Sequence, residues 1–308
     1  MGFLTISLVV YLDSGKQTLY LWKLLATTYP QQFRQVSPYR RMRVESPQMP
    51  LREYLGLVQG DASNWATVLT MPTTCARVTE LVAVAAVVKN VVALGLYAPT
   101  DDGVGDGSGW LPATPLSDRV LRTWSELAQS STRAFAHLRV LSLCDQKEGL
   151  SRVGLRYLRS LPALRVVLVL NCPGLGLDTE KDGPVEDDGW VIGSLSQAMA
   201  GDGDGYTTAV YRLYDCYEAS FVTVDAERTL SRDTPVLDFQ LGWSAREGAK
   251  RKRSVETQPT ALIRSKTVEE EARQPETKKP RLGSSGRGNK AVMRNRGKDM
   301  AGLLKEFF

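Results

Sequence analysis

Residues 138–146 read LRVLSLCDQ, and residues 164–172 read LRVVLVLNC. The second copy starts 26 residues after the first, and both follow Leu-x-x-apolar-x-apolar-x-x-polar. Alternate apolar positions over so short a run mark a strand with one buried face. Between the copies EGLSRVGLRYLRSLPAL, from Glu148, spaces Leu150, Val153, Leu158 and Leu161 as a helix does. Strand, turn, helix and return to strand within 26 residues is one structural repeat.

Weaker copies carry the same ruler toward the N-terminus. VVALGLYAP begins at Val91, WATVLTMPT at Trp65, FRQVSPYRR at Phe33 and FLTISLVVY at Phe3. The starts 65, 91, 138 and 164 are separated by 26, 47 and 26 residues. The long interval holds the insertion TDDGVGDGSG and then SDRVLRTWSELAQ, an amphipathic helix that Ser117 or Asp118 is placed to cap. ARVTELVAVAAVV, from Ala76, is a further helix. LYLWKLLATTYPQQF gives another, with Leu21, Trp22, Leu24 and Leu25 on its inner face.

Each unit has an apolar strand face and an apolar helix stripe, and neither can be buried within the unit. Stacking the units buries both. Here the chain resembles the leucine-rich-repeat family, in the irregular form found in fungal F-box and F-box-like proteins. LRVLSLCDQ, LRVVLVLNC and the helices ending in WSELAQ and LRYLRSLPAL carry the likeness. The resemblance implies an α/β fold: an irregular leucine-rich-repeat-like solenoid with a curved parallel sheet over residues 1–180. Cys172 stands where that family has Asn or Cys, while Gln146 and Pro99 replace the Asn that bonds the turn backbone. No F-box helix set precedes the repeats, and the chain opens inside a strand, as a truncated array would.

Past Asn171 the pattern fades. DTEKDGPVEDDG is an acidic loop and WVIGSLSQAMA a short helix. YTTAVYRLYD, ASFVTVDAER and TPVLDFQLGW read as strands, so residues 181–244 are expected to form a β-rich segment closing the open end of the solenoid. From 245 to 298 the composition is that of a disordered basic linker. Charge divides at the same place. From Arg246 onward there are 17 Lys/Arg against 8 Asp/Glu, a net +9, whereas the 22 and 26 before it leave −4.

Reactive constellations are sparse. Cys75, Cys144, Cys172 and Cys216 lie far apart without a CxxC pair, and His137 is the single histidine. In DTEKDGPVEDDGW, Asp178, Glu180 and Asp182 precede Gly183, but Gly189 stands where a calcium loop needs its bidentate Glu. No GxGxxG, GKS or GxSxG occurs. The first apolar run lacks a basic flank and is too short to span a bilayer, and Ile6 sits where myristoylation requires Ser or Thr. The expectation is a non-enzymatic protein–protein interaction scaffold or adaptor with no cofactor, no metal and no membrane partner.

The tail supplies an address. Lys250, Arg251, Lys252 and Arg253, and again Lys278, Lys279, Pro280 and Arg281, fit the basic tetrapeptide read by nuclear import receptors. These predict a nuclear protein, with the cytoplasm as the alternative. Met300, Leu303, Leu304, Phe307 and Phe308 fall on one stripe of a terminal helix over 299–308, a partner-binding element capped by Asp299. That stripe is similar to the box of sliding-clamp partners, with Ala301 at the glutamine position. YRRMR, from Tyr39, is either solvated decoration or a small basic patch for an acidic partner. Two alternatives to the scaffold stand. One is the substrate-receptor part of a ubiquitin-ligase complex, its F-box missing from this chain. The other is a tail-mediated nucleic-acid or chromatin binder, for which the tail lacks interleaved aromatics.

Overall fold

A computed structural model describes residues 18–30, 32–33, 39–45, 47–60, 64–73, 76–98, 116–130, 134–146, 148–177, 189–193, 213–220, 234–242 and 259–265. Six helices and eight strands lie in these ranges. The helices are α1 (Leu19–Thr28), α2 (Leu51–Val58), α3 (Val78–Val87), α4 (Asp118–Gln129), α5 (Arg152–Leu158) and α6 (Leu213–Ala219). The strands are β1 (Tyr39–Val44), β2 (Ala66–Pro72), β3 (Val91–Tyr97), β4 (Val140–Cys144), β5 (Val166–Leu170), β6 (Trp190–Gly193), β7 (Val236–Leu241) and β8 (Thr260–Arg264). They form one mixed α/β sheet in the order β1-β7-β2-β3-β4-β5-β8-β6. The run from β1 through β5 pairs in parallel, and β8 is antiparallel to both its neighbours.

The sequence intervals reappear as strand register. Val140 faces Val166 and Leu143 faces Val169, an offset of 26, while Leu94 faces Leu141, an offset of 47. A bulge near Thr67 and Val68 brings β2 and β3 to an offset of 25 instead of 26. Leu69, Met71, Leu94, Leu96, Leu141, Leu143, Val167 and Val169 are buried on the face that meets α1–α5. α3, α4 and α5 pack side by side along it. Trp124 closes the seam: it is fully buried, donates its indole N–H to the Leu81 carbonyl at 3.0 Å, and meets Phe135 edge-on at 5.0 Å.

The two turns after β4 and β5 share a backbone conformation at their first residue. Asp145 and Asn171 both adopt left-handed backbone, at φ 56° and 52°, which short polar side chains tolerate. Asn171 donates Nδ2–H to Asp145 Oδ1 at 2.9 Å. The next residues point inward: Cys172 Sγ lies 3.5 Å from the Leu143 carbonyl and 3.4 Å from that of Leu170. Gln146, although not the expected Asn, does the same work. It is 2% exposed, donates Nε2–H to the Cys144 carbonyl at 3.1 Å and accepts from Leu116 N–H at 3.3 Å. The longer side chain reaches the residue leading into α4 as well as its own turn.

Caps differ from expectation in detail. Ser117 occupies the N-cap of α4 without a side-chain bond. Asp118 instead clamps the next unit, accepting from Ser151 N–H at 2.9 Å and Ser151 Oγ–H at 2.5 Å. A Cβ on Gly154 would stand 2.6 Å from Asp118 Oδ1, so glycine permits that approach. Along the helix expected from Leu150, Val153 is 47% exposed and Leu155 takes the inner position. In α1, Trp22 and Leu25 are buried while Leu24 is 48% exposed.

Larger expectations are corrected as well. The strand beginning at Phe33 is displaced to Tyr39–Val44, and Phe33 itself is a buried core residue against Trp22. WVIG, expected to open a helix, is β6, because Trp190 and Ile192 pack inward at alternate positions. The C-terminal part of YTTAVYRLYD turns into α6, whose Cys216 and Tyr217 pack under the opposite sheet face beside Ala66, Val68, Val140 and Val166. Residues 234–242 do not close an end: β7 inserts between β1 and β2, where Leu237, Phe239 and Leu241 join the main core.

The stretch expected to be disordered linker contributes β8. Ala261 and Leu262 are buried, and Arg264 donates from Nη1 and Nη2 to the carbonyls of Leu161, Leu164 and Arg159. Those carbonyls follow α5, where a cation offsets the helix dipole. β8 thus seals the β5 side of the sheet and holds β6.

Candidate functional site

β1 has the sequence YRRMRV, and strand alternation decides what each side chain does. Met42 and Val44 pack against the main core. Arg40 shares their side, and burial lowers its guanidinium pKa. Tyr39, Arg41 and Arg43 occupy the other face and stand opposite Val236, Asp238 and Gln240 of β7. That pairing builds a polar cluster. Asp238 is 3% exposed, and Tyr39 donates its hydroxyl to Asp238 Oδ2 at 2.7 Å. Arg41 Nε lies 3.7 Å from the same oxygen.

Gln240 links the remaining groups. Its Nε2–H donates toward Asp238 Oδ1 and Oδ2 at 3.4 and 3.3 Å, which fixes the amide so that Oε1 faces the arginines. Oε1 accepts from Arg41 Nη2 at 2.9 Å and from Arg43 Nε at 3.4 Å. Two cations therefore share one carboxylate and one neutral amide.

The cluster continues across the sheet. Arg43, Gln240, Thr70, Gly95, Ser142 and Leu168 form one row in register, running from basic through polar to apolar. Arg43 is exposed, while Gln240, Thr70 and Ser142 are partly so. α6 lies over this strip at Gly95 and leaves it partly open on either side, at Gln240 and Thr70 and at Ser142. A Cβ on Gly95 would meet Leu213 Cδ2 at 3.2 Å, and Tyr214 meets Tyr39 at 4.4 Å between ring centroids with the rings tilted by 48°. Arg139 fastens the far end of α6, donating from Nε to Ser220 Oγ at 3.2 Å and from Nη2 to the Ser220 carbonyl at 2.9 Å. Arg139 is 3% exposed, so these bonds are shielded from solvent competition.

Elsewhere, α1, α2 and Trp65 line an apolar groove of about 330 Å³ bounded by Tyr20, Leu24 and Leu57. Lys23 sits at its edge with Nζ 5.4 Å from the Trp65 ring and 2.9 Å from the Leu57 carbonyl. His137 lies half-buried in the turn before β4. Among the described residues no group of three His, Cys, Asp or Glu is placed to hold a metal, and no helix is long and apolar enough to cross a membrane.

Cys144, Cys172 and Cys216 are free thiols. Burial pushes the Cys172 and Cys216 thiols up to about 12 from an ordinary value near 9. Both are therefore poor nucleophiles at neutral pH. The unfolded chain ionises these thiols first, so the stability they confer is full below pH 9 and lost as pH rises toward 12. The urea midpoint should hold steady up to pH 9 and fall above it. Replacing both cysteines by alanine should flatten that decline, and an unchanged slope would refute the assignment.

Of the residues singled out from sequence, Arg41 and Arg43 are brought together with new partners. Lys250, Arg251, Lys252, Arg253, Lys278, Lys279, Pro280 and Arg281 lie outside the described residues, as do Met300, Leu303, Leu304, Phe307 and Phe308. Sequence reasoning missed Asp238, Gln240 and Arg139. The first two join Arg41 from a strand almost 200 positions away, and only the odd carboxylate in VLDFQL hinted at a polar face there. No known family model, curated protein or solved structure matches the chain.

Proposed function

We propose that the chain is a non-enzymatic protein-interaction scaffold, built on an irregular leucine-rich-repeat-like run whose consecutive strands are β2–β5, and acting in the nucleus. The observation that carries this reading is the partly exposed row Arg43–Gln240–Thr70–Ser142, on the sheet face opposite the five packed helices. Side chains on such a face stand in a fixed lattice, spaced by strand separation and by the period of two, so they can match a partner without reordering. The repeat reading draws support from the equivalent turns at Asp145 and Asn171 and from the inward bonds of Gln146 and Cys172. The open strip is the recognition surface, Lys250–Arg253 and Lys278–Arg281 give the nuclear address, and the stripe ending in Phe307 and Phe308 is a second anchor.

A biotin-ligase fusion of the full chain tests both halves. Thr70→Arg with Ser142→Arg places bulk beside α6, on the sheet face away from the core under α1–α5. A defined set of neighbours should be labelled by the wild type and lost in that variant. Identical labelling overturns the recognition surface. Changing the seven Lys/Arg of the two tetrapeptides to Gln should move the fusion from nucleus to cytoplasm; unchanged nuclear signal overturns the address.

A further inference from the structure

The recognition surface, if it acts as proposed above, has a chemistry that its basic end specifies. We infer that Arg41 and Arg43 hold an extended acidic segment of a partner protein, with carboxylates at alternate positions.

Three observations carry this. The first is unmatched charge. Arg41 shares Asp238 with Tyr39 and Gln240, and among the described residues Arg43 meets only the neutral Gln240 amide, at 3.4 Å. Among the described residues the pair of guanidiniums is thus balanced by a single carboxylate whose side chain is 4% exposed, against 38% for Arg41. An incoming anion meets the cations and not the buried anion. The patch also stands out from its surroundings, since residues 1–245 carry a net −4.

The second is preorganisation. Gln240 is oriented by Asp238 and holds Arg41 Nη2 and Arg43 Nε toward one oxygen. Arginine ordinarily loses much rotamer freedom on binding, and restraint before binding reduces that loss. Among the described residues Arg43 is held through Nε alone, which leaves both Nη groups for a bidentate carboxylate contact.

The third is spacing. Arg41 and Arg43 are two residues apart on one face of a strand, hence separated by roughly 6.5–7 Å along it. An extended peptide has the same period, so acidic residues at i and i+2 point at the two guanidiniums together. An isolated anion such as phosphate matches the charge and not the period.

The test uses the full chain and two labelled hexapeptides of one composition, Glu-Thr-Glu-Thr-Glu-Thr and Glu-Glu-Thr-Thr-Glu-Thr, the second blocked from offering two carboxylates at i and i+2, followed by fluorescence anisotropy. Because the basic tail also attracts anions, each measurement is repeated in the variant with both basic tetrapeptides changed to Gln. In that background the alternating peptide should bind about tenfold more tightly than the blocked one, and Arg41→Glu with Arg43→Glu should abolish the difference. Circular dichroism of the double variant checks that the fold is retained, and Arg41→Lys with Arg43→Lys should restore part of the binding. Equal affinity for the two peptides, or unchanged binding in a folded charge-reversed variant, overturns the inference. Inorganic phosphate competing as well as the alternating peptide at equal concentration also overturns it, in favour of a simple anion site. If Thr70→Arg with Ser142→Arg loses cellular neighbours while Arg41→Glu with Arg43→Glu keeps them, the open strip stands and only the acidic partner falls.

Discussion

A chain ending at Ser265 should fold, and one ending at Gln258 should not. The two differ only by residues 259–265, which hold β8. Removing that strand strips Val166–Val169 of their antiparallel partners and leaves β6 without the strand it pairs with among the described residues. It vacates the fully buried site of Leu262, a loss of about 2–5 kcal/mol judged from large-to-small core changes. The three carbonyls that Arg264 bonds after α5 lose a charged donor, at about 1.5–3 kcal/mol for such a bond. Small domains have about 5–15 kcal/mol in total, so the shorter chain should be insoluble or lack a cooperative urea transition. Within the full chain, Leu262→Ala should lower stability by about 3 kcal/mol. Equal midpoints for the two truncations would show that β8 is dispensable.

That result would also locate where sequence reading stopped. β2 to β5 were legible because consecutive strands pair with their sequence neighbours, so the intervals 26 and 47 in the chain become offsets in the sheet. β7 and β8 break that correspondence. VLDFQL is a plain strand by composition, but nothing local says that it lies between β1 and β2. TALIR has only Ala261 and Leu262 buried, and it is embedded in a Lys-, Arg- and Glu-rich stretch whose average polarity outweighs five residues. α6 was hidden for a different reason. Leu213, Tyr214, Cys216 and Tyr217 include aromatic residues of high strand propensity, yet packing on the sheet face selects the helical period. The site shares this divide. YRRMR declares its own charge, whereas the Asp238 and Gln240 that orient Arg41 and Arg43 reach it through non-local strand pairing. The equivalent turns were half legible: Cys172 matched the repeat, and Gln146 looked like a departure until its length proved sufficient to bond Cys144 and Leu116 together.

Trp124→Ala should be the most damaging single substitution among the helices, at about 3–5 kcal/mol. The indole fills the seam between α3 and α4 with no exposed surface. Its ring contact with Phe135 fixes the turn that starts β4, and Phe135 adopts left-handed backbone there at φ 56°, an uncommon conformation for a bulky residue. Removing the indole withdraws a packing partner that holds Phe135 in that state. The cost therefore includes a cavity, the lost N–H bond to Leu81 and release of the turn. Trp124→Phe keeps most of the volume and the aromatic pair, and should cost about half as much or less. Release of this turn would also reach the open strip, because β4 begins five residues after Phe135 and carries Ser142 on the recognition row. Hydrogen exchange should accordingly rise in β4 of the alanine variant before it rises in β1 or β7. A loss below about 1.5 kcal/mol, or exchange that rises uniformly across the sheet, would mean that the seam at Trp124 does not govern how β4 is held.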